Sequence, residues 1–150
     1  MGIIGIDKPE LHIILMPPKL CEQLWEQIVP LLLKGEDSWI AYADLNDIKD
    51  YVLSEAMQLW LMVNAKTEKF EAILLTELTT FPKKKVLRFV HVSGENVIDN
   101  LFAKMDTIIE WGKYNEASAC EIYGSPAWGR LLKQHGGFSE RMVLYRDLGD

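Results

Sequence analysis

The chain has 150 residues, 49% of them hydrophobic and 25% charged, which is enough for one buried core and short for two. A net charge of -6 gives an averaged field that repels nucleic acid and acidic membrane surfaces. No apolar run approaches the roughly 18 residues that cross a bilayer, so the expectation is one soluble, cytoplasmic domain spanning 1–150.

The opening segment "MGIIGIDKPELHIILMPP" carries Asp7, Lys8, Pro9 and Glu10 in its middle and has no basic flank. A secretory leader is excluded on that pattern, and the segment reads as a first strand. Ile6 stands where a myristoylation signal needs Ser or Thr. Residues 18–34 place Leu20, Leu24, Ile28, Leu31 and Leu32 at helical spacing, with Gly35 as a stop and Pro30 predicting a kink or break. Asp44 is a candidate N-cap for a second helix whose face is Leu45, Ile48, Val52 and Leu53.

The apolar period then changes to two. "MQLWLMVNA", "KFEAILLTELTT" and "KVLRFVHVS" read as three antiparallel strands joined by the turns "KTEK" and "FPKK". Lys83, Lys84 and Lys85 form a solvated hairpin tip on this reading, with a phosphate-binding patch as the alternative. From Val97 to about Tyr114 the period returns to 3.6, through Ile98, Leu101, Met105, Ile108 and Gly112, with Asn96 or Ser93 as candidate caps. "SACEIYG" fits a strand parallel to "VLRFVHVS" after the helical crossover. Ser125 as N-cap and Pro126 as first helical residue start another helix, ended by Gly136 or Gly137. "FSERMVLYRDL" closes the chain as a last strand. Cys21 and Cys120 stand far apart and read as two buried thiols in a reducing compartment, without a disulfide.

This order of elements, an α+β arrangement, resembles the GCN5-related N-acetyltransferase fold over nearly the whole chain. "GGFSERMVLYRDL" is similar to that family's closing Gly-Phe and final strand, and "VLRFVHVSGENVIDNLFAKMDTIIEWGKYNEASACEIYG" to its central strand-helix-strand unit. Size and layout also resemble small acetyltransferase-like proteins of tailed phages and prophages, which would allow a virion location. The resemblance implies a mixed, mostly antiparallel sheet in which the fourth and fifth strands form a parallel pair and splay apart, between the strands holding His91 and Ile122. It also implies acetyl-coenzyme A as cofactor, with no metal, held where backbone N–H groups start the following helix, a natural anion site. The corresponding loop is Ser93, Gly94, Glu95 and Asn96, flanked by Val92 and Val97.

Two departures from the family pattern stand out. The family presents Gly-x-Gly or Gly-x-Ala in this loop, whereas here Gly94 is alone and Glu95 and Asp99 bring negative charge to the same helix start. Counting back from Gly137 and Phe138, the family's proton-donating tyrosine falls on Lys133 and its asparagine on Pro126. His91, which alternates with Phe89 on the central strand, has a suitable unperturbed pKa for a base. Glu77, Glu121 and Tyr123 lie on strands near the expected cleft as further candidates for base, water anchor or proton donor. Equally, Glu77 and Glu121 fit the solvent-facing half of an alternating pattern, Lys133 a solvated helix position, and Trp60, Trp111 and Trp128 packing roles.

His12, His91 and His135 have no metal-ligand spacing with each other or with the cysteines, and no Walker loop, GxGxxG or GxSxG motif occurs. Two functions remain. One is acyl transfer to an unknown amine, with His91 or Glu77 as base and Tyr123 or Lys133 as proton donor. The other is a non-catalytic interaction protein on the same fold, for example in phage particles or their assembly, presenting Trp39 and Tyr42 to a protein partner. A homodimer through "RMVLYRDL" is a further expectation.

Overall fold

Strand alternation organises the molecule around one sheet. The structure, a computed structural model, describes residues 10–35, 37, 39, 42–124 and 126–149. Strands β1 (Leu11–Leu15), β2 (Gln58–Asn64), β3 (Phe70–Thr80), β4 (Lys85–Gly94) and β5 (Ala119–Ile122) lie side by side in chain order. The first three pairings are antiparallel and β4–β5 is parallel. The β2–β3 turn is closed by the Asn64 side chain, whose Oδ1 accepts from the Lys66 and Thr67 amides at 2.9 and 3.1 Å. At the β3–β4 turn the Phe81 amide donates to the Lys84 carbonyl at 2.8 Å, which leaves Lys83 and Lys84 in solvent at the expected hairpin tip.

The helices are α1 (Pro18–Gln23), α2 (Trp25–Leu33), α3 (Leu45–Leu53), α4 (Val97–Tyr114) and α5 (Pro126–His135). They cover both faces of the sheet. Leu74, Leu87 and Phe89 point to one face and pack with Leu101, Phe102, Met105 and Ile108 of α4 and Leu132 of α5. Leu59, Leu61, Ile73 and Leu75 point to the other face and pack with Cys21, Ile28, Leu32, Ile48 and Val52 of α1 to α3. Asp44 caps α3 as expected: its carboxylate accepts from the Asp47 amide at 2.9 Å while the Asp47 carboxylate accepts from the Asp44 amide at 3.0 Å.

Four local expectations are corrected. The helix over 18–34 breaks at Leu24 rather than Pro30, and Pro30 lies inside α2. The ring faces solvent there, so the carbonyl deprived of its donor can be hydrated. Trp39 is buried, not presented to a partner, because its indole N–H donates to the Leu32 carbonyl at 3.3 Å at the end of α2; Tyr42 is exposed, as expected. Asn96 occupies the N-cap position of α4 but in a left-handed conformation (φ 49°) and without a side-chain cap bond. The last strand does not form: residues 137–149 adopt no helix or strand and pair with no strand among the described residues. The first-strand expectation for 1–9 and the Ser125 cap lie outside the described residues.

Candidate functional site

A single inserted residue creates the site. In the β3–β4 ladder Leu75 pairs with His91 and Thr76 with Phe89, so Val90 is bulged out. Because side chains alternate, the insertion changes parity: Phe89 faces α4 while His91, opposite Leu75, faces α2. An uninterrupted strand would instead put His91 and Phe89, two residues apart, on one face. The β4–β5 ladder runs from Val86 opposite Ala119 to Phe89 opposite Ile122 and stops at the bulge. From Val90 to Gly94, β4 pairs with β3 alone, and the two strands diverge as anticipated.

The divergence opens a cavity of about 160 Å³. Leu74, Phe89, Val92 and Leu101 make its apolar floor, Val90 and His91 one wall, and Ile122, Tyr123, Gly124 and Trp128 the other. Gly124 lies close to this wall, where a Cβ would come within 3.1 Å of the Cβ of Trp128. Trp128 is steadied by an edge-on contact with Phe102, centroids 6.5 Å apart.

His91 is buried, and its Nε2 shares a 2.8 Å hydrogen bond with Ser93 Oγ. Burial disfavours the imidazolium and lowers its pKa to about 4, so the ring is neutral at neutral pH. Gly35, at the end of α2, touches this pair: a Cβ there would lie 2.8 Å from His91 Cε1 and 2.9 Å from Ser93 Cβ. On the same face of the sheet, beside the closed half of β4, Arg88 gathers the other candidates. Its Nε donates to Glu121 at 2.9 Å, and a second nitrogen lies 3.6 Å from Glu77. Its guanidinium sits 5.7 Å from the ring centres of both Phe81 and Tyr123. Tyr123 belongs to this cluster and to the cavity wall, and its hydroxyl donates to Glu121 at 3.4 Å. Burial raises the Tyr123 pKa, partly offset by the Arg88 charge.

The loop after β4 is fastened to β3. The Glu95 amide donates to the Glu71 carbonyl at 2.7 Å, and Asn100 Nδ2 donates to the Glu95 carbonyl at 2.8 Å and to the Glu71 carboxylate at 3.3 Å. Gly94 has φ +126°, and a Cβ would meet the Glu71 carbonyl oxygen at 2.4 Å, so only glycine suits the position. The first intrahelical bond of α4 runs from the Asn100 amide to the Asn96 carbonyl, and the amides of Val97, Ile98 and Asp99 have no backbone acceptor among the described residues. The Glu95 carboxylate does not stand alone beside them. Lys69 lies 2.8 Å and Lys34 3.4 Å from it, and Lys69 followed by Lys34 lowers its pKa.

The structure therefore brings His91, Val92 and Tyr123 together at one cavity, with Ser93 beneath His91 and Gly94, Glu95, Asn96 and Val97 leading into α4. Glu77 and Glu121 stand beside it, held by Arg88. Lys133 is apart, exposed and 3.8 Å from Glu140. Arg88, Lys34 and Lys69 were missed by reading the sequence. Arg88 had a signal, being a lone cation between apolar neighbours on a central strand, but the two lysines reach Glu95 across 61 and 26 positions, which only the fold reveals.

A five-stranded sheet with a parallel, splayed β4–β5 pair, helices on both faces and a helix starting directly after β4 is the GCN5-related N-acetyltransferase fold. Solved structures agree. The chain is similar to an acetyltransferase from Trypanosoma brucei at 11% identity and TM-score 0.65, covering 92% of this chain and 99% of that one. It is similar to an aminoglycoside acetyltransferase from an uncultured soil metagenomic sample, in complex with trehalose, at 9% identity and TM-score 0.66, covering 94% and 97%. A GNAT family acetyltransferase from Staphylococcus aureus matches at 14% identity and TM-score 0.60, covering 93% and 99%. No protein-family model matches the sequence, and no curated protein does. Among the described residues no helix is long and apolar enough to cross a membrane.

Proposed function

We propose that the chain is a coenzyme A-dependent N-acyltransferase acting on an amine. The observation that supports this most is the β4–β5 divergence at Val90, which opens an apolar slot lined by Val92 of β4 and Leu101 of α4, the helix whose first amides have no backbone acceptor among the described residues. The residues fit acetyl-coenzyme A: Val97, Ile98 and Asp99 offer backbone donors to a pyrophosphate, Lys34 and Lys69 offset the Glu95 charge beside them, and the slot suits a pantetheine arm. When bound, this cofactor supplies an acetyl group activated as a thioester. The cavity, about 160 Å³, is below the roughly 300 Å³ of a small-molecule pocket, so it suits the acyl end of a long ligand.

Around that end the chain's own groups divide the proton work. Tyr123 lines the slot with its pKa raised by burial, so its hydroxyl holds a proton at neutral pH that it could supply to a thiolate leaving group. Lys133, paired with Glu140 outside the slot, is the weaker choice of donor. His91, neutral at neutral pH, can accept a proton from an incoming amine at a ring nitrogen, and Glu77 can do so through water. Trp128 and Leu101 give the slot apolar walls.

A second reading, a non-catalytic interaction protein on the same fold, has one specific observation in its favour. The Glu95 amide, a natural member of an anion cradle, is already occupied by the Glu71 carbonyl at 2.7 Å. Calorimetric titration with acetyl-coenzyme A decides between the two. Micromolar binding, followed by amine-dependent thiol release, is expected. Absence of binding at millimolar ligand rules out acyl transfer, and binding without turnover over a panel of polyamines, aminoglycosides and lysine peptides favours the interaction protein.

A further inference from the structure

Arg88 is a lone cation in the apolar run "VLRFV", on a strand with a neighbour on each side. The register places Glu77 of β3 directly opposite it on one side and Glu121 of β5 on the other, so three charged residues form one row across three strands. Tyr123 follows Glu121 by two positions, and its contacts put it on the same face. It lies one residue beyond Ile122, where the β4–β5 ladder ends, so no ladder pairing fixes its place. The charged row does so instead. A single carboxylate oxygen, Glu121 Oε1, accepts from Arg88 Nε at 2.9 Å and from the Tyr123 hydroxyl at 3.4 Å, while the guanidinium carbon lies 5.7 Å from the centre of the Tyr123 ring.

We infer that Arg88 is a positioning residue for proton delivery, acting through Glu121 and Tyr123; the inference rests on the acyl-transfer reading. In that step the Tyr123 O–H bond breaks and an S–H bond forms on the departing thiolate, so the negative charge passes from sulfur to the phenolate oxygen. A proton from solvent then restores the phenol, whose ring is half-exposed. The charged neighbours of that phenol among the described residues are Glu77 from β3, Arg88 from β4 and Glu121 from β5. Two of the three oppose a phenolate, and Arg88 offsets them. Burial raises the Tyr123 pKa most, Arg88 lowers it, and both carboxylates raise it.

A bridge that only held strands together would behave differently. Loss of either partner would then loosen Tyr123, and both losses would move its titration the same way. The positioning role gives opposite signs, because Arg88 favours the phenolate and Glu121 opposes it. At 5.7 Å a unit charge changes a protonation equilibrium about threefold in bulk water and about a hundredfold at an effective dielectric near 20. Arg88, Glu77 and Glu121 are each about a third exposed, so the effect belongs near the lower end of that range.

Carbon resonances of protein labelled at tyrosine Cζ, followed from about pH 8 to 11, read the ionisation of each phenol, and the Tyr123 signal is the one missing in Tyr123→Phe. At the pH where half of the parent's Tyr123 is ionised, Arg88→Met is expected to lower the phenolate-to-phenol ratio about three- to tenfold, Arg88→Lys to keep it within about twofold, and Glu121→Gln to raise it about threefold. With acetyl-coenzyme A and an accepted amine, Arg88→Met should lower kcat about tenfold and leave the KM for acetyl-coenzyme A within about twofold, and Arg88→Lys should recover most of the loss. An unmoved titration in Arg88→Met overturns the inference whatever the activity, and so does an unmoved kcat beside a shifted titration. Circular dichroism checks that each variant is folded; if Arg88→Met is not, Glu121→Gln decides, and a ratio that falls or stays level there overturns the inference. Opposite shifts in a parent that binds no acetyl-coenzyme A would sink acyl transfer and the donor role with it, while the coupling of Arg88 to Tyr123 would stand as measured.

Discussion

The two halves of β4 share one strand and differ in almost everything else. Lys85 to Phe89 is paired on both sides, with β3 and with β5, and its charged residue Arg88 is half-exposed among carboxylates and aromatic rings. Val90 to Gly94 is paired on one side, and its polar residues His91 and Ser93 are buried. Polarity is thus placed opposite to habit: the closed half carries a hydrated ion cluster and the open half a desolvated pair. One extra residue separates them. The bulge bends β4 off β5 and turns His91 beneath Gly35, so the opening and the desolvation have a common cause.

If the closed half anchors the sheet, its main apolar side chain should dominate stability. Phe89 is buried between β4, α4 and the slot, and Phe89→Ala is expected to lower the unfolding free energy by about 3–5 kcal/mol, read by urea denaturation. A loss under about 1 kcal/mol would mean that the closed half is not the anchor. The open half should show itself through pH instead. His91 titrates near 6.5 when unfolded and near 4 when folded, so the unfolded chain takes up the proton first as pH falls. The stability its neutrality contributes is complete above pH 6.5 and is lost as pH falls toward 4, by about 3 kcal/mol in all. His91→Gln removes the titration, and its stability should fall less steeply than the parent's across that window. Parallel slopes in the two proteins would show that His91 is not desolvated.

How much of this was legible in the sequence follows from the range of each interaction. The meander, the α3 cap at Asp44, the crossover to β5 and the helix starting at Pro126 rest on residues a few positions apart, and each was visible as a period or a cap. The splay of β4 from β5 followed from resemblance, whereas its cause was hidden, because "RFVHVS" shows unbroken alternation and nothing in it marks Val90 as the inserted residue. The segment from Ser139 failed differently: its apolar run suits a strand, but a strand also needs a paired edge, and no local pattern supplies one. Glu95 was legible as a charge and illegible as a partner, since Lys34 and Lys69 arrive from α2 and the β2–β3 turn.

Glu95 also gives the finest test of the contrast, where the open half runs into α4. The carboxylate lies at a helix start whose first amides are unclaimed, and two lysines hold it. If that helix start receives a pyrophosphate, Glu95→Gln removes a repulsion and releases both lysines toward the ligand, and acetyl-coenzyme A should bind about three- to tenfold tighter at low salt. Lys69→Met should act in the opposite sense by a similar factor, because it leaves Glu95 with Lys34 alone. Both effects should shrink as ionic strength rises, since these side chains are hydrated and screened. Two variants that bind the ligand as the parent does would place the pyrophosphate away from α4 while leaving the slot between β4 and β5 available to the acyl end.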